Sequence, residues 1–446
     1  MSQAVRLTGT KGPAVRTPGT ITTSLPRRRP RRWGPSEARV ARAQAALVAT
    51  SFAMLVAGSN AVNPLLPTYR EALGLTPLVI SMTFTLYVAT LVVTLFAMAR
   101  PQVARRAGPV LLMSLFLMFG ADLLLAHAQE WSILVGRSIG GAAGGLGTGA
   151  ASALVVAAVG AKGRAITATG NTAGAIAGAA GSQLLVSLLS GGAAPRAVFI
   201  GHSVIVVLLF VGLTVVLGLR RDVNRCALRA TPATHPSARV GRDTLRLFVP
   251  GIIVWTCVSL AAVFSATLFD ELDMQAARAI GPVILPCATA AVQLGAPLVH
   301  RLAPRSSGML ATAGGILVIL VGGWFRADLV SILGFVVLGV GVGTGYRTAL
   351  VALTKGSNAA RQGALASLYA AASYSIAAAV VTVVGLVGNL TGLVAAVCGT
   401  LAVFGALAVS VSAWVPRVSD AQEASTGDAA GVGTHNEDMS NWDNCR

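Results

Sequence analysis

The chain has 446 residues, of which 54% are hydrophobic and 11% are charged. Soluble globular proteins carry roughly 25% charged residues, so this composition excludes an ordinary soluble domain and indicates a membrane protein. The formal net charge of +18 would suit a nucleic-acid partner, but the basic residues follow no nucleic-acid-binding motif, and we expect none.

The first element in chain order is a basic arm over residues 1–43, which holds ten of the basic residues together with several prolines. It has no apolar periodic face, so we expect it to be disordered and attracted to anionic membrane lipids. A central loop at 220–245 and an acidic tail at 416–446 are the other two polar stretches. Both are predicted to lie outside the membrane, and the tail is expected to be disordered.

Between these stretches lie twelve apolar segments, each close to the 20 residues that a helix needs to cross a bilayer. Their hydrophobic residues are continuous rather than alternating, which favours helices over barrel strands. The sequence therefore predicts an all-α polytopic membrane protein of about 12 transmembrane helices. The segments run over 44–66, 77–99, 109–127, 132–158, 164–189, 196–219, 246–268, 279–299, 308–325, 328–353, 360–386 and 390–414.

The basic residues between the segments predict the orientation, because cytoplasmic loops are enriched in Lys and Arg. With the N-terminus inside, sixteen basic residues fall in cytoplasmic loops, against only Arg70, Arg196, Arg278 and Arg326 outside. Both termini are therefore expected in the cytoplasm. The basic residues are nearly all Arg, which is typical of a GC-rich bacterial genome, and we expect the chain in a bacterial inner membrane.

An internal repeat divides the chain into two halves. Gly145-Leu-Gly-Thr-Gly149 in the fourth segment matches Gly341-Val-Gly-Thr-Gly345 in the tenth, at an offset of 196 residues. The same offset matches the charged loops after the second and eighth segments. We expect six-helix bundles over 44–219 and 246–415, related by a pseudo-two-fold axis along the membrane normal.

Glycines recur every four residues in two neighbouring segments, at positions 141, 145 and 149 and at positions 170, 174 and 178. Such spacing places small residues on one helix face, where a second helix can approach closely. We interpret most of these glycines as packing residues. The pattern predicts that the fourth and fifth helices approach each other or bend there.

Few ionisable residues lie deep in the segments, and such residues commonly mark function. Asp122 and Arg137 lie about five and six residues, or roughly 8 and 9 Å, below the same membrane surface. They are predicted to form an intramembrane pair, either as a structural link or as a proton-coupling element. His127 and His202 are interpreted as interfacial residues. The acids Asp270, Glu271 and Asp273 are interpreted as a solvated loop, with a cation-attracting vestibule as the alternative.

Polar and aromatic residues within the segments are candidates for a substrate cavity, since stacking and a few hydrogen bonds suit an amphipathic organic molecule. A helix–helix hydrogen bond is the alternative role for each of them. The candidates are Asn60, Asn63, Tyr87, Asn171, Trp255, Gln293, Tyr346, Arg347, Tyr369 and Tyr374. No metal-binding spacing and no phosphate-binding loop is present, so we expect no metal, cofactor or nucleotide hydrolysis.

Several motifs give the chain a resemblance to the major facilitator superfamily over roughly residues 44–415. Asn63-Pro-Leu-Leu-Pro-Thr-Tyr-Arg70 is similar to the first-helix exit of many bacterial members. Arg137-Ser-Ile-Gly-Gly-Ala-Ala-Gly-Gly145 resembles the fourth-helix pattern R-x-L-Q-G-x-G-x-G, with Gly140 in place of Gln. The family's loop G-x-x-x-D-R-x-G is matched by Arg106 and Gly108, with Arg164 at the opening of the fifth helix.

Two departures from the family pattern bear on function. Arg105 stands where the loop has Asp, a residue that in the family helps to hold the cytoplasmic side closed, so this gate loop is expected to be altered. The fifth-helix signature of drug antiporters ends G-P-x-x-G-G, but Gly178-Ala-Ala-Gly181-Ser-Gln183 lacks the proline.

The resemblance implies a secondary transporter, expected to work as a monomer, that moves a small organic molecule by alternating access. Our leading hypothesis is proton-driven export of an antibiotic, drug or metabolite, with Asp122 and Arg137 as coupling candidates. Import on the same fold is the alternative, because direction is not written in the sequence. A membrane-embedded enzyme is a distant alternative, since no second acidic cluster or base–nucleophile set accompanies residues 270–273.

Overall fold

A computed structural model describes residues 35–98, 103, 105–160, 163–189, 192–220, 246–354 and 359–419. All regular elements in this part of the chain are helices, which confirms the predicted fold class. The twelve long helices are α1 Pro35–Ala61, α2 Pro77–Met98, α3 Ala107–His127, α4 Glu130–Val159, α5 Gly163–Leu188, α6 Ala193–Leu219, α7 Phe248–Glu271, α8 Gln275–Leu294, α9 Met309–Trp324, α10 Asp328–Thr354, α11 Ala359–Thr391 and α12 Leu393–Val411.

Each predicted apolar segment coincides with one of these helices. By length and hydropathy, ten helices of the described residues can cross a membrane, and α9 is apolar but has only 16 residues. A 3-10 turn over Asn63–Leu65 and a short helix over Leu66–Leu73 continue α1. That extension ends at Gly74, whose φ of 64° is the left-handed conformation that commonly terminates a helix.

The boundaries of the polar stretches differ from the prediction. Helix α1 begins at Pro35, so residues 35–43 are helical rather than part of the arm. At the other end, the amides of Val418 and Ser419 donate to the carbonyls of Ser306 and Pro304, each at 2.9 Å. The start of the predicted tail is therefore packed against the loop before α9. Residues 1–34, 221–245 and 420–446, which hold the rest of the arm, loop and tail, lie outside the described residues.

The two bundles repeat the same helix neighbours. In α1–α6, the close pairs include α1 with α5, α2 with α4, and α3 with α4 and α6. In α7–α12, the corresponding pairs are α7 with α11, α8 with α10, and α9 with α10 and α12. The bundles meet through α2 with α11 and α5 with α8, and these two contacts exchange under the pseudo-two-fold axis. This arrangement is the predicted pair of six-helix bundles.

The bundles are closed against each other at one end. We call the end that holds Pro35 and Ser419 the terminal face and the opposite end the distal face. One cluster of buried apolar side chains joins the two bundles. Its members from the first bundle, among them Leu65, Tyr69 and Ile80, all lie near the distal face. The remaining clusters each belong to one bundle.

The polar links between the bundles within the described residues lie on the same side. The amide of Leu78 donates to Asn389 Oδ1 at 3.0 Å, and the hydroxyls of Thr85 and Thr382 are 2.7 Å apart. An ion pair between Arg70 and Glu271 joins the extension of α1 to the end of α7. In this structure the two bundles are therefore closed against each other at the distal face.

The glycine faces of α4 and α5 do not meet each other, contrary to the prediction. A Cβ on Gly145 would overlap the Leu91 carbonyl of α2, and one on Gly141 would overlap that of Tyr87. A Cβ on Gly178 would overlap the Ala57 carbonyl of α1. The small residues thus bring α4 against α2 and α5 against α1. Sequence spacing identified the packing faces but assigned them to the wrong partners.

The structural register of the repeat also differs from the sequence match. Gly141 and Gly145 face α2, whereas Gly341 faces Thr312 of α9, which is not the counterpart of α2. Gly339 and Gly343 face α8, the counterpart of α2. These contacts align the halves at an offset of 198 residues, since 339 − 141 = 198. The starts of α4 at Glu130 and α10 at Asp328 agree with that offset.

The packing of α5 on α1 predicts contrasting effects of two substitutions in one helix. Gly178→Ala forces a methyl group against the α1 backbone and is expected to destabilise the protein by about 1–3 kcal/mol. At Gly181 an added Cβ meets no described atom within 4 Å, so Gly181→Ala is expected to be neutral or stabilising by up to about 1 kcal/mol. Thermal unfolding of the detergent-purified proteins measures both. Equal stability of the two variants would contradict the α1–α5 contact.

Candidate functional site

Arg137 occupies the interior of the first bundle and binds two helices other than its own. Its Nε donates to the Thr83 carbonyl of α2 at 2.9 Å, and its Nη1 donates to the Ser59 carbonyl of α1 at 2.7 Å. Only 4% of the residue is exposed. Because a buried charge is costly unless it is hydrogen-bonded, these two carbonyls are what retain the guanidinium inside the bundle.

The guanidinium of Arg137 also lies over an aromatic ring. Its central carbon is 4.4 Å from the centroid of the Tyr87 ring, a distance suited to a cation–π interaction. Among the described residues, no carboxylate forms an ion pair with it, and no protein atom accepts a hydrogen bond from Nη2. Within the described part of the chain, the positive charge is therefore stabilised by two carbonyl dipoles and an aromatic ring, and by no carboxylate.

Asp122 forms a different buried pair. His202 Nδ1 is 2.7 Å from Asp122 Oδ2, and the two side chains are 9% and 0% exposed. The other ring nitrogen of His202 is 3.0 Å from the Met54 carbonyl of α1, while Asp122 Oδ1 is buried without a hydrogen-bond partner among the described atoms. Gly58 makes room for the ring, since a Cβ there would lie 2.6 Å from its Cε1 atom.

The predicted pair of Asp122 with Arg137 is wrong. On α4 the residue that faces α3 is Gly136, whose added Cβ would lie 3.1 Å from the Ala121 carbonyl. Arg137 is rotated from that face by about 100°, because an α-helix has 3.6 residues per turn. Its side chain consequently turns toward α1 and α2. His202, interpreted from the sequence as interfacial, is the residue that pairs with Asp122.

Together these contacts hold one stretch of α1 from two sides. His202 contacts the Met54 carbonyl, and Arg137 binds the Ser59 carbonyl five residues later. The Asp122–His202 pair and the guanidinium are thus connected through a single turn and a half of helix. A change in either group acts on the same backbone segment.

Four aromatic cavity candidates of the second bundle lie close together, and their role as a cavity lining stays a prediction. Trp255 of α7 is 4.5 Å from Tyr374 of α11 and 5.9 Å from Tyr346 of α10, measured between ring centroids. Tyr346 is in turn 5.0 Å from Tyr369. Tyr369 is fully buried, with a hydroxyl that has no described partner, and its ring fills the space left by Gly251.

The remaining cavity candidates lie apart from this cluster. Asn60 donates to the Val56 carbonyl of its own helix at 2.9 Å, and Asn63 lies in the 3-10 turn. Asn171 and Gln293 are exposed. The exposed Arg347 donates to the Gln293 carbonyl at 3.1 Å, which links α10 to α8.

Three of the four gate-loop candidates, Arg105, Arg106 and Gly108, have described side chains or contacts. Arg105 and Arg106 are exposed and precede α3. Gly108 lies in the first turn of α3, where an added Cβ would lie 3.6 Å from the Leu217 side chain of α6. The side chain of Arg164 falls outside the described residues. The expected alteration of this gate stays a prediction.

The distal acids are neutralised by arginines. Asp270 pairs with Arg278, and Glu271 pairs with Arg70 of the other bundle. Asp273 and Arg326 are 3.9 Å apart and largely exposed. These pairs argue against a cation-attracting vestibule, because three of the four arginines predicted at this face offset the three carboxylates.

These features define a polytopic membrane protein with a polar and aromatic interior, and the comparisons with known proteins agree. The sequence matches the Major Facilitator Superfamily over residues 48–382. The chain belongs to this superfamily, and it is a transporter of a small solute rather than an enzyme. No curated protein matches the sequence.

Solved structures show the same fold at low sequence identity. The nucleoside transporter NupG is 13% identical, with a TM-score of 0.57 over 84% of this chain and 97% of that chain. The peptide transporter POT bound to alafosfalin is 15% identical, with a TM-score of 0.62 over 86% and 99%. The POT family transporter PepTSo is 12% identical, with a TM-score of 0.59 over 83% and 96%.

The Asp122–His202 pair predicts a stability pattern. His202→Leu leaves a buried carboxylate without its partner and is expected to cost about 3–5 kcal/mol of unfolding free energy. The double variant Asp122→Leu/His202→Leu removes both polar groups and is expected to recover most of that loss. His127→Leu, at the exposed end of α3, is the matched control and should change stability little. Additive effects in thermal unfolding would contradict the pair.

Proposed function

We propose that the protein is a secondary active transporter that exports a small organic molecule, such as an antibiotic, drug or metabolite, by proton antiport. The proposal places it in a bacterial inner membrane with both termini in the cytoplasm. The observation that carries it is the buried Asp122–His202 pair, bonded to the same stretch of α1 that binds Arg137. Ionisable pairs inside a membrane commonly form proton relays.

The distal closure supports alternating access with the terminal face as the cytoplasmic side. The links between the bundles described above close the distal face, whereas Asn171 and Gln293 nearer the terminal face are exposed. Solute from the cytoplasm would reach the aromatic cluster in this state. Rocking of the bundles about that site would then expose it to the other side.

The coupling step requires that a proton alter the hold on α1. A proton bound by Asp122 removes the charge that attracts His202 and so weakens the contact of His202 with the Met54 carbonyl. Because Arg137 binds the Ser59 carbonyl of the same segment, movement of α1 there changes the position of the guanidinium beside Tyr87. Proton binding and solute binding are thereby linked through one helix.

Accumulation of candidate solutes in cells and in proteoliposomes, with and without a proton uncoupler, tests this function. Export predicts that the protein lowers cellular accumulation and that the uncoupler abolishes the effect. Asp122→Asn is expected to keep a hydrogen bond to His202 and normal folding but to lose proton-driven transport, at least tenfold. Asp273→Asn, an exposed carboxylate, is the control and should transport normally.

Full transport by Asp122→Asn would remove Asp122 from the coupling step and leave the pair as structural. Uncoupler-sensitive accumulation into cells, instead of out of them, would support the importer on the same fold. Both outcomes leave the transporter class intact and change only direction or coupling.

The Arg70–Glu271 pair provides a separate test of distal closure. In a cysteine-free background with Thr382→Cys as reporter, Arg70→Glu places two carboxylates across the bundle contact. It is expected to raise labelling by an impermeant maleimide from the distal side about two- to fivefold, the range of a surface ion pair. Arg70→Glu/Glu271→Arg should restore low labelling. Arg326→Glu, whose partner Asp273 belongs to the same bundle, is the control; equal labelling in all variants would contradict the closure.

A further inference from the structure

Aromatic rings form a column that begins at Arg137 and runs toward the terminal face. The guanidinium lies over Tyr87 of α2. The hydroxyl of Thr85, two residues before Tyr87, lies 3.3 Å from the Ala378 carbonyl of α11, four residues after Tyr374, so the two tyrosines lie at similar depth on adjoining helices of the two bundles. From Tyr374 the column continues through Trp255 and then Tyr346, with centroid spacings of 4.5 and 5.9 Å. These side chains come from both bundles, so the column lies where alternating access places a solute.

The composition of the chain makes this column unusual. The sequence has only five tyrosines, and four of them, Tyr87, Tyr346, Tyr369 and Tyr374, belong to the column or contact it. Three of these and Trp255 are partly exposed although they lie in mid-helix. The fully buried Tyr369 contributes a hydroxyl without a described partner. The column thus offers flat apolar faces with hydrogen-bonding edges, which suits a planar ring.

The charge of the column is positive at one end. Arg137 has no carboxylate partner in the described part of the chain, and its Nη2 donors are unused there. Asp122 contacts His202 behind α1, and the distal acids contact arginines. An organic cation stacked on these rings would approach an uncompensated guanidinium, whereas an anion would neutralise it.

We propose that the solute is a planar aromatic anion whose ring stacks on Trp255 and Tyr374 and whose anionic group binds the free Nη2 donors of Arg137. This inference rests on the proposed function for the location of the site and adds the chemical class of its ligand. The carboxylate–guanidinium contact is charge-assisted and the rings supply contact area, so both parts of the ligand are required.

Three probes that share one ring system test the charge requirement on the unaltered protein. 2-Naphthoate, 2-naphthamide and 2-naphthylmethylammonium differ in charge but present the same aromatic face. Binding to the detergent-purified chain, measured by calorimetry or thermal shift, is expected to be at least tenfold tighter for 2-naphthoate than for the amide. The ammonium compound is expected to bind most weakly.

Variants separate the two parts of the site. Arg137→Gln is expected to reduce the preference for 2-naphthoate over the amide to less than twofold, whereas the exposed control Arg196→Gln keeps it. Trp255→Leu is expected to weaken all three probes by a similar factor, about tenfold. If Arg137→Gln is not monodisperse, two results still test the inference. These are the ranking of the three probe affinities on the unaltered chain and the uniform loss of affinity in Trp255→Leu.

Equal or tighter binding of the ammonium compound, a naphthoate preference that survives in folded Arg137→Gln, or no binding of any probe would overturn the inference. Transport is measured separately. If the unaltered protein binds 2-naphthoate as expected but shows no proton-driven transport, the result would count against the proposed function alone. Active transport with no preference among the three probes would count against this inference alone.

Discussion

The constraint on which the rest of the first bundle depends is the close approach of backbones at glycines. In a membrane, apolar burial gives helices little reason to associate, so close contact between small residues becomes important. Gly141 and Gly145 bring α4 onto α2, and Gly174 and Gly178 bring α5 onto α1. The approach of α4 to α2 sets Arg137 beside the carbonyl of Thr83 and the ring of Tyr87. A larger residue at Gly141 would separate these groups.

In the polar interior that this packing creates, backbone carbonyls accept the hydrogen bonds of buried side chains. Main-chain carbonyls of α1 and α2 serve as the ligands of the guanidinium, although they already belong to helices. A carbonyl oxygen has two lone pairs, so it accepts a second hydrogen bond without breaking the helical one. The His202 contact with Met54 uses the same capacity. As a result one stretch of α1 contacts both Arg137 and His202, the partner of Asp122.

The sequence was sufficient for the number, order and approximate limits of the helices, because continuous apolar runs separated by charges have few other interpretations. Trp255, Tyr346, Tyr369 and Tyr374 could be identified as polar aromatic residues inside apolar segments, but their contacts with one another could not. The positions of the buried ionisable residues along their helices could be predicted, but their contact partners could not. Asp122, Arg137 and His202 all lie five to nine residues from the distal ends of their helices, but which of them meet depends on helix neighbours and on rotation about each axis. The same uncertainty explains the error in the glycine repeat. The sequence match gives an offset of 196 residues and the helix contacts give 198, and a shift of two residues moves a side chain to the opposite side of a helix.

Arg137 has no neutralising carboxylate among the described residues, and this has an electrical consequence. A charge that moves through the whole membrane potential changes energy by about 2.3 kcal/mol per 100 mV, and a shorter movement changes it in proportion. If the bundles rock as proposed, the guanidinium on α4 would carry one such charge through part of the field whenever the solute site is empty. An anion bound as proposed would travel with it and cancel that charge. Voltage would then act on the return of the empty carrier and leave the loaded step nearly untouched.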